Sequence, residues 1–348
     1  MQKEKHLLVL RFSALGDVAM TVPVLQAFVQ QHPNTRITVV TRPFFKPLFA
    51  ELSNVSVFEA DLKGEHKGVF GLFKLFKTLK TLKVDGVADL HNVLRSNMLK
   101  LYFKIGGFDF AQLDKGRAEK KAFISAKNNK LKPLKTMHER YADVFRSLGF
   151  SLKLSDACIL PKREISASTE KIFSSADKKY VGIAPFAAFQ GKMYPLDLME
   201  EVVSMLNSKG NIQMLLFGGG SKEKEKLDSW DATYANATSV VGKFSFEEEL
   251  ALISNLNVML AMDSGNAHLA ALYGVQTVTL WGVTHPYAGF YPFQQDLNNA
   301  LLADREMYPL VPTSIYGNKM PEGYEAVMRT ISSEAVVHKM ELLITSLK

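Results

Sequence analysis

Short β-branched runs alternate along the chain with stretches whose apolar residues recur at helical spacing, the pattern of βαβ units and parallel sheets. In the first half this predicts strands over residues 7–11, 36–41, 55–58 and 84–90. Helices are predicted over 18–31, 69–83 and 93–104, and another over 137–148 stops at Gly149. Residues 150–179 are polar, rich in Lys, Ser and Ala, and read as a linker. A second series follows, with strands over 180–184 and 212–217, near Ser239, and over 258–261 and 277–280. Its helices are predicted over 196–208, 221–229 and 246–254, with one more starting at Asn266. Val336, Val337, Met340 and Leu343 place a terminal helix over 333–347. The expectation is two doubly wound α/β domains, 1–160 and 161–332, with helix 333–348 packing back toward the first. No internal repeat is visible.

The composition agrees with a globular chain: 348 residues, 47% hydrophobic and 22% charged, long enough for two separate cores. One cysteine, Cys158, excludes a disulfide framework and any multi-cysteine zinc site. The apolar start at residues 6–10 is cut by Arg11, too short for a secretory h-region. No apolar run approaches the ~18 residues of a membrane span. A cytoplasmic protein is expected, with any membrane contact peripheral.

Ligands of doubly wound sheets sit outside the carboxyl ends of the strands, so those loops carry the candidate chemistry. The first runs Arg11-Phe12-Ser13-Ala14-Leu15-Gly16-Asp17 and leads to Thr21 and Pro23. Asp17 reads either as a cap of the following helix or as a general base. After the first strand of the second half, Lys192 in Lys192-Met193-Tyr194-Pro195 is either a solvated lysine or a phosphate ligand. Gly218-Gly219-Gly220 then opens a helix carrying Glu223, a first-turn acid or a ribose ligand. The most informative run is Asp263-Ser264-Gly265-Asn266-Ala267-His268-Leu269-Ala270-Ala271, a strand end, a small turn and a helix start. The amides of Ser264 and Gly265 suit a diphosphate, with His268 one turn further along. No Gly-x-Gly-x-x-Gly, Walker loop or Gly-x-Ser-x-Gly elbow occurs. A metal site built from Asp263, His268 and His285 lacks ligand spacing.

Taken together these loops resemble glycosyltransferase family 9, the ADP-heptose:lipopolysaccharide heptosyltransferases. The R-x-S-x-x-G-D-x-x-x-T-x-P pattern is matched by Arg11, Ser13, Gly16, Asp17, Thr21 and Pro23. The D-[ST]-G-x-x-H-L-A-A signature is matched from Asp263 to Ala271, and G-x-T-x-P from Gly282 to Pro286. The resemblance implies a GT-B fold, two Rossmann-like domains facing across a cleft. It implies inverting, metal-independent heptose transfer from ADP-heptose to a lipopolysaccharide core or lipid-linked saccharide, without a cofactor. Asp17 would be the base, and Lys192 with the helix start at Ser264 and Gly265 would stabilise the departing ADP. Asp263 and His268 would hold sugar and diphosphate, Glu223 the ribose, and Val241 and Phe244 the adenine. Ser13, His91, Arg95 and Arg117 would meet the acceptor. Where the family often has T-D-P, this chain has Thr284-His285-Pro286, and the cysteines common before the segment from Ser314 to Lys319 are missing.

Two other readings of the same fold stay open: a transferase using another nucleotide sugar, and a non-catalytic binder of nucleotide sugars. Nucleic acid is not an expected partner, because no basic-aromatic interleaving or known module is present. The net charge of +7 has a location. Residues 60–135 hold 17 Lys and Arg against 7 Asp and Glu. The predicted helix over 69–83 carries Lys74, Lys77, Lys80 and Lys83 beside Phe70, Phe73 and Phe76. That row is either a solvated face or one that rests on the anionic inner membrane. Arg95, Arg117, Lys120 and Lys121 suit an anionic glycolipid.

Overall fold

The computed structural model describes residues 4–125, 131–173, 175 and 177–346. The chain forms two compact units, Met1–Arg117 with Lys135–Ile159, and Ala118–Leu134 with Leu160–Lys348.

In the first unit β1 (Lys5–Leu10), β2 (Thr35–Thr41), β3 (Val55–Glu59), β4 (Gly86–Asp89) and β5 (Asp109–Gln112) form one parallel sheet in the order β3-β2-β1-β4-β5. Leu8, Val9 and Leu10 of the central strand are fully buried, as expected where helices cover both faces of a parallel sheet. The helices of this unit are α1 (Leu15–Ala19), α2 (Thr21–Gln31), α3 (Gly68–Lys80), α4 (Leu94–Ile105) and α6 (Met137–Ser147); α5 (Arg117–Phe123) follows β5 but, past Arg117, groups with the second unit. The single helix predicted over 18–31 is two, joined at Met20. Pro23 sits at the third position of α2, where a helix needs no N–H donor. Helix α3 buries Leu72, Leu75, Phe76 and Leu79, against a core that includes Leu8, Leu10 and Val87.

The second unit has β6 (Lys179–Ala184), β7 (Ile212–Leu216), β8 (Ala237–Ser239), β9 (Val258–Met262), β10 (Gln276–Trp281) and β11 (Ala300–Leu302), all parallel, in the order β11-β10-β9-β6-β7-β8. Its helices are α7 (Leu196–Asn207), α8 (Ser221–Thr233), α9 (Phe246–Ser254), α10 (Gly265–Leu272) and α11 (Ser333–Ser346). The core order β8-β7-β6-β9-β10 repeats that of the first sheet, an internal repetition of topology with no visible trace in sequence.

Three sequence expectations are corrected. Residues 150–179 are not a free linker: Leu152, Leu154 and Leu160 are buried. Gln31 exchanges two hydrogen bonds with the Lys153 backbone, and the Leu160 amide donates to the Leu272 carbonyl. Helix α11, expected from sequence to pack toward the first domain, packs on α7, β9 and β10 of the second unit, because Val336, Val337 and Met340 belong to that core. Residues 118–134, assigned by sequence to the first domain, group with the second unit. There Phe123 packs with Ala288 and Ile315, Lys120 lies over the Phe290 ring, and the Leu134 amide donates to the Tyr287 carbonyl.

Candidate active site

Each sheet has one place where the chain, having moved outward from the central strand, returns to its other side. There the two loops diverge and leave a crevice at the carboxyl ends. In the first unit this point lies between β1 and β4, in the second between β6 and β9.

At the β1–β4 point, Arg11 follows β1 and is buried, with its guanidinium donating to the Leu90 carbonyl at 2.6 Å and pairing with Asp17 Oδ2 at 2.7 Å. Asp17 is the third residue of α1, and the same oxygen takes a long hydrogen bond from the Ala14 amide, 3.4 Å. The capping and the functional readings of Asp17 are therefore compatible. Oδ2 is occupied by Arg11 and Ala14, while Oδ1 has no hydrogen-bond partner among the described residues and the side chain is 31% exposed. Thr21 is buried and donates to the Val18 carbonyl, a structural role at the α1–α2 joint.

From β4, Asp89 is fully buried and accepts from the His91 and Asn92 amides and from Gln112 Nε2. This turns His91 back beside Phe12, whose amide donates to Nδ1 at 3.4 Å. Burial pushes the His91 pKa down to about 3, and the Arg11 and Lys115 charges add to the effect. His91 is thus a neutral ring whose proton lies on Nε2, a hydrogen-bond donor rather than a cation. Arg95, exposed on the first turn of α4, acts on the same imidazole. Ser13 is half-buried in the first loop, and Arg117 is exposed at the start of α5. Sequence reasoning missed Lys115. It is half-buried, and burial, then Arg11 and Arg117, lower its pKa, with Asp17 and Asp89 opposing. Its only sequence signal was a place just past the carboxyl end of β5.

At the β6–β9 point, Lys192 Nζ lies 3.0 Å from Asp263 Oδ2, with the two side chains only 15% and 7% exposed. Lys192 is held from behind. Gly317, at φ +82°, passes so close that a Cβ there would overlap Lys192 Cγ and Cδ. Ser314 fixes that loop by accepting from the Gly317 amide at 2.9 Å, and its own amide donates to the Val283 carbonyl. The contribution of Gly317 is a through-space contact that no local sequence pattern announces.

Asp263 follows β9, and α10 begins immediately after Ser264. Ser264 is the N-cap residue, yet its hydroxyl makes no cap bond and is buried without a hydrogen-bond partner. A buried unsatisfied hydroxyl at a helix amino end calls for an outside group, and an anion fits both hydroxyl and free amides. His268 is buried one turn further on. One strand over, Glu223 Oε2 accepts from the Gly219 amide at 2.7 Å, fixing the glycine turn before α8 and leaving its other oxygen for a ligand. Val241 is part of the unit core and Phe244 is half-buried beyond β8.

His285 is buried, and its Nδ1 accepts from the Tyr287 amide at 3.1 Å, the role an aspartate plays as a helix cap. Burial pushes its pKa down to about 4, helped by Arg305. Among the described residues no three His, Cys, Asp or Glu side chains gather as a metal site.

Two Rossmann-like units, each with polar side chains at its switch point, give the chain the layout of the GT-B class. The family model of glycosyltransferase family 9 (heptosyltransferase) matches residues 72–318. A lipopolysaccharide core heptosyltransferase, OpsX of Haemophilus influenzae, is 26% identical over 293 residues, 81% of this chain and 80% of the relative. In three dimensions the chain is similar to a family 9 glycosyltransferase from Veillonella parvula (TM-score 0.76, 20% identity, 99% of each chain). It is also similar to the E. coli heptosyltransferase WaaC solved with ADP (TM-score 0.66, 18% identity, 97% and 99% covered). The chain belongs to glycosyltransferase family 9, the heptosyltransferases.

Proposed function

We propose that this enzyme moves heptose from ADP-heptose to an anionic saccharide of the lipopolysaccharide core, with inversion and without a metal. The observation that carries the reading is the anion site at the β6–β9 switch point: Lys192, the amino end of α10 and the unpaired Ser264 hydroxyl. The kinship with OpsX and the ADP held by WaaC support the choice of donor and acceptor.

In this mechanism an acceptor hydroxyl attacks the anomeric carbon while its proton passes to Asp17 Oδ1. The bond from that carbon to the diphosphate oxygen breaks, and ADP leaves with the electron pair. Lys192 and the α10 amides stabilise the charge that develops on the diphosphate, a contribution worth on the order of 10²–10³ in rate for a single well-placed donor. Asp263 orients Lys192, and with His268 it meets the sugar and diphosphate. Glu223 takes the ribose, and Val241 with Phe244 border the base. Ser13, His91, Arg95, Arg117 and Lys115 receive the acceptor. Attack opposite the leaving group inverts the anomeric centre.

The test is calorimetric titration with ADP, GDP and UDP, followed by transfer from ADP-heptose with the product anomer assigned by NMR. ADP selectivity, an inverted product and a rate unchanged by chelator are expected. Preference for another nucleotide, or retention of configuration, sinks the reading.

A further inference from the structure

Helix α5 buries two of its seven residues, Lys120 and Phe123, which share one face at a step of three. Lys120 is 5% exposed, so it is withdrawn from the anionic glycolipid that its sequence position suggested. Phe123 packs with Ala288 and Ile315 and meets the His285 ring at 6.2 Å between centres. The Lys120 ammonium lies 4.3 Å from the centre of the Phe290 ring and 6.0 Å from that of Tyr316. Those two rings meet edge to face, 5.7 Å between centres. A leucine at residue 120 would give an apolar contact without the cost of taking an ammonium out of water. The lysine recovers part of that cost only where the ring faces are correctly placed, so it selects one arrangement of Phe290 and Tyr316.

Tyr316 leads directly to Lys192. The next residue, Gly317, is the one that closes on Lys192 Cγ and Cδ, and its carbonyl oxygen would lie 2.9 Å from a Cβ at Gly191. The Tyr316 and Gly317 amides both donate to Ser314 Oγ, at 3.3 and 2.9 Å. Val283 ties the two loops together. Its amide donates to the Gly191 carbonyl, and its carbonyl accepts from the Thr313 and Ser314 amides. Ile315 and Tyr316 thus carry the contacts with α5, and Gly317 carries the contact with Lys192. Every one of these residues lies in the second unit.

We propose that Lys120 is a positioning residue for Lys192, acting through Tyr316 and Gly317. Helix α5 then serves as a buttress of the donor site. This role rests on Lys192 serving the diphosphate of a nucleotide. The path is short: the ammonium fixes the Tyr316 ring, and the peptide that follows that ring is pressed against the lysine stem.

Lys120→Met keeps the buried stem and removes the cation, whereas Lys120→Arg keeps a cation for the rings. Hydrogen exchange at the Tyr316 and Gly317 amides of the full-length chain needs no ligand. Lys120→Met should speed it about tenfold, the effect of losing a desolvated cation–ring contact, and Lys120→Arg should restore protection. In calorimetric titrations Lys120→Met should weaken ADP several-fold and leave adenosine, which has no phosphate, unchanged. Its kcat should fall about tenfold with little change in the acceptor KM. Phe290→Leu removes a ring instead, so it should reproduce these effects, and it serves if Lys120→Met does not fold. In a Lys192→Ala background Lys120→Met should cost no further activity. Unchanged exchange at Gly317 overturns the proposal, as does faster exchange with ADP affinity and kcat intact. Equal losses in Lys120→Met and Lys120→Arg, or additive losses with Lys192→Ala, overturn it too. A wild-type chain that prefers another nucleoside diphosphate sinks the donor reading alone, and the same comparison is then made with that nucleotide; one that binds no nucleoside diphosphate overturns both.

Discussion

Replacing Gly317 by alanine tests whether Lys192 works by being held in one place. A Cβ at residue 317 would lie nearer than 3.0 Å to Lys192 Cγ and Cδ, whereas ordinary contact begins at 3.4 Å. The lysine stem must therefore retreat by about 1 Å, a displacement that costs on the order of 10² in rate when the group serves the transition state. The positive φ adds backbone strain of roughly 1–2 kcal/mol. Gly323 supplies the control, with φ +81° and no atom within 4 Å of a Cβ, so its alanine variant bears the strain without touching Lys192. Steady-state kinetics following ADP release, with thermal unfolding of both variants, separate the two effects. Gly317→Ala should lower kcat about 10²-fold, while Gly323→Ala keeps kcat and shares only the stability loss. In a Lys192→Ala background Gly317→Ala should cost little further activity. Wild-type kcat in Gly317→Ala, or an equal loss in both glycine variants, would refute the reasoning.

Asp17→Asn keeps the shape of the Arg11 contact and removes the base, so transfer should fall by roughly 10²–10⁴ while ADP titrations are unchanged; surviving turnover would remove Asp17 from its role. Ser264→Ala deletes a buried unpaired hydroxyl, so the ligand-free protein should gain stability by up to ~1 kcal/mol and bind ADP more weakly; a destabilised apo protein with normal ADP affinity contradicts the anion site. His91 and His285, held down to about 3 and about 4 by burial, stay neutral in the fold. Below the ordinary value of 6.5 only the unfolded chain gains protons there. The stability these histidines confer is full above that value and is lost as pH falls, about 1.4 kcal/mol per pH unit each. Glu249, raised by burial to about 7, acts oppositely and costs stability as pH rises from 4.5 to about 7. Unfolding free energies from urea titrations should therefore fall by a net ~2 kcal/mol between pH 6.5 and about pH 5, and Glu249→Gln should roughly double that fall; an unchanged slope in Glu249→Gln contradicts the assignment.

What could be read from sequence was local. Helix α9 matched residue for residue because Ser245 and Glu248 form a reciprocal capping box ahead of an apolar run. Asp17, Lys192, Asp263 and Ser264 were singled out because strand ends and glycine turns mark the loops at the switch points. Strand β5 was missed, since its residues Asp109-Phe110-Ala111-Gln112 are short and polar-ended and earn strand geometry only by pairing with β4. The break at Met20 was hidden within one continuous apolar pattern. Gly317 behind Lys192 and Lys115 beside Arg11 are long-range neighbours, set by packing and not by spacing. The positive charge keeps its side after regrouping: the first unit carries 21 Lys and Arg against 13 Asp and Glu, the second 21 against 22.

The segment Ala118–Leu134 has a consequence for synthesis. Phe123 is made long before its neighbours: Ala288 follows it by about 165 residues and Ile315 by about 190. At ~5–20 residues per second the ribosome takes roughly 10–40 s to deliver Ile315. For most of that interval the first unit has all its own residues, while Phe123 still lacks the Ala288 and Ile315 of its cluster. Completion of the Phe123 cluster therefore waits for synthesis of the second unit and is a late step in maturation.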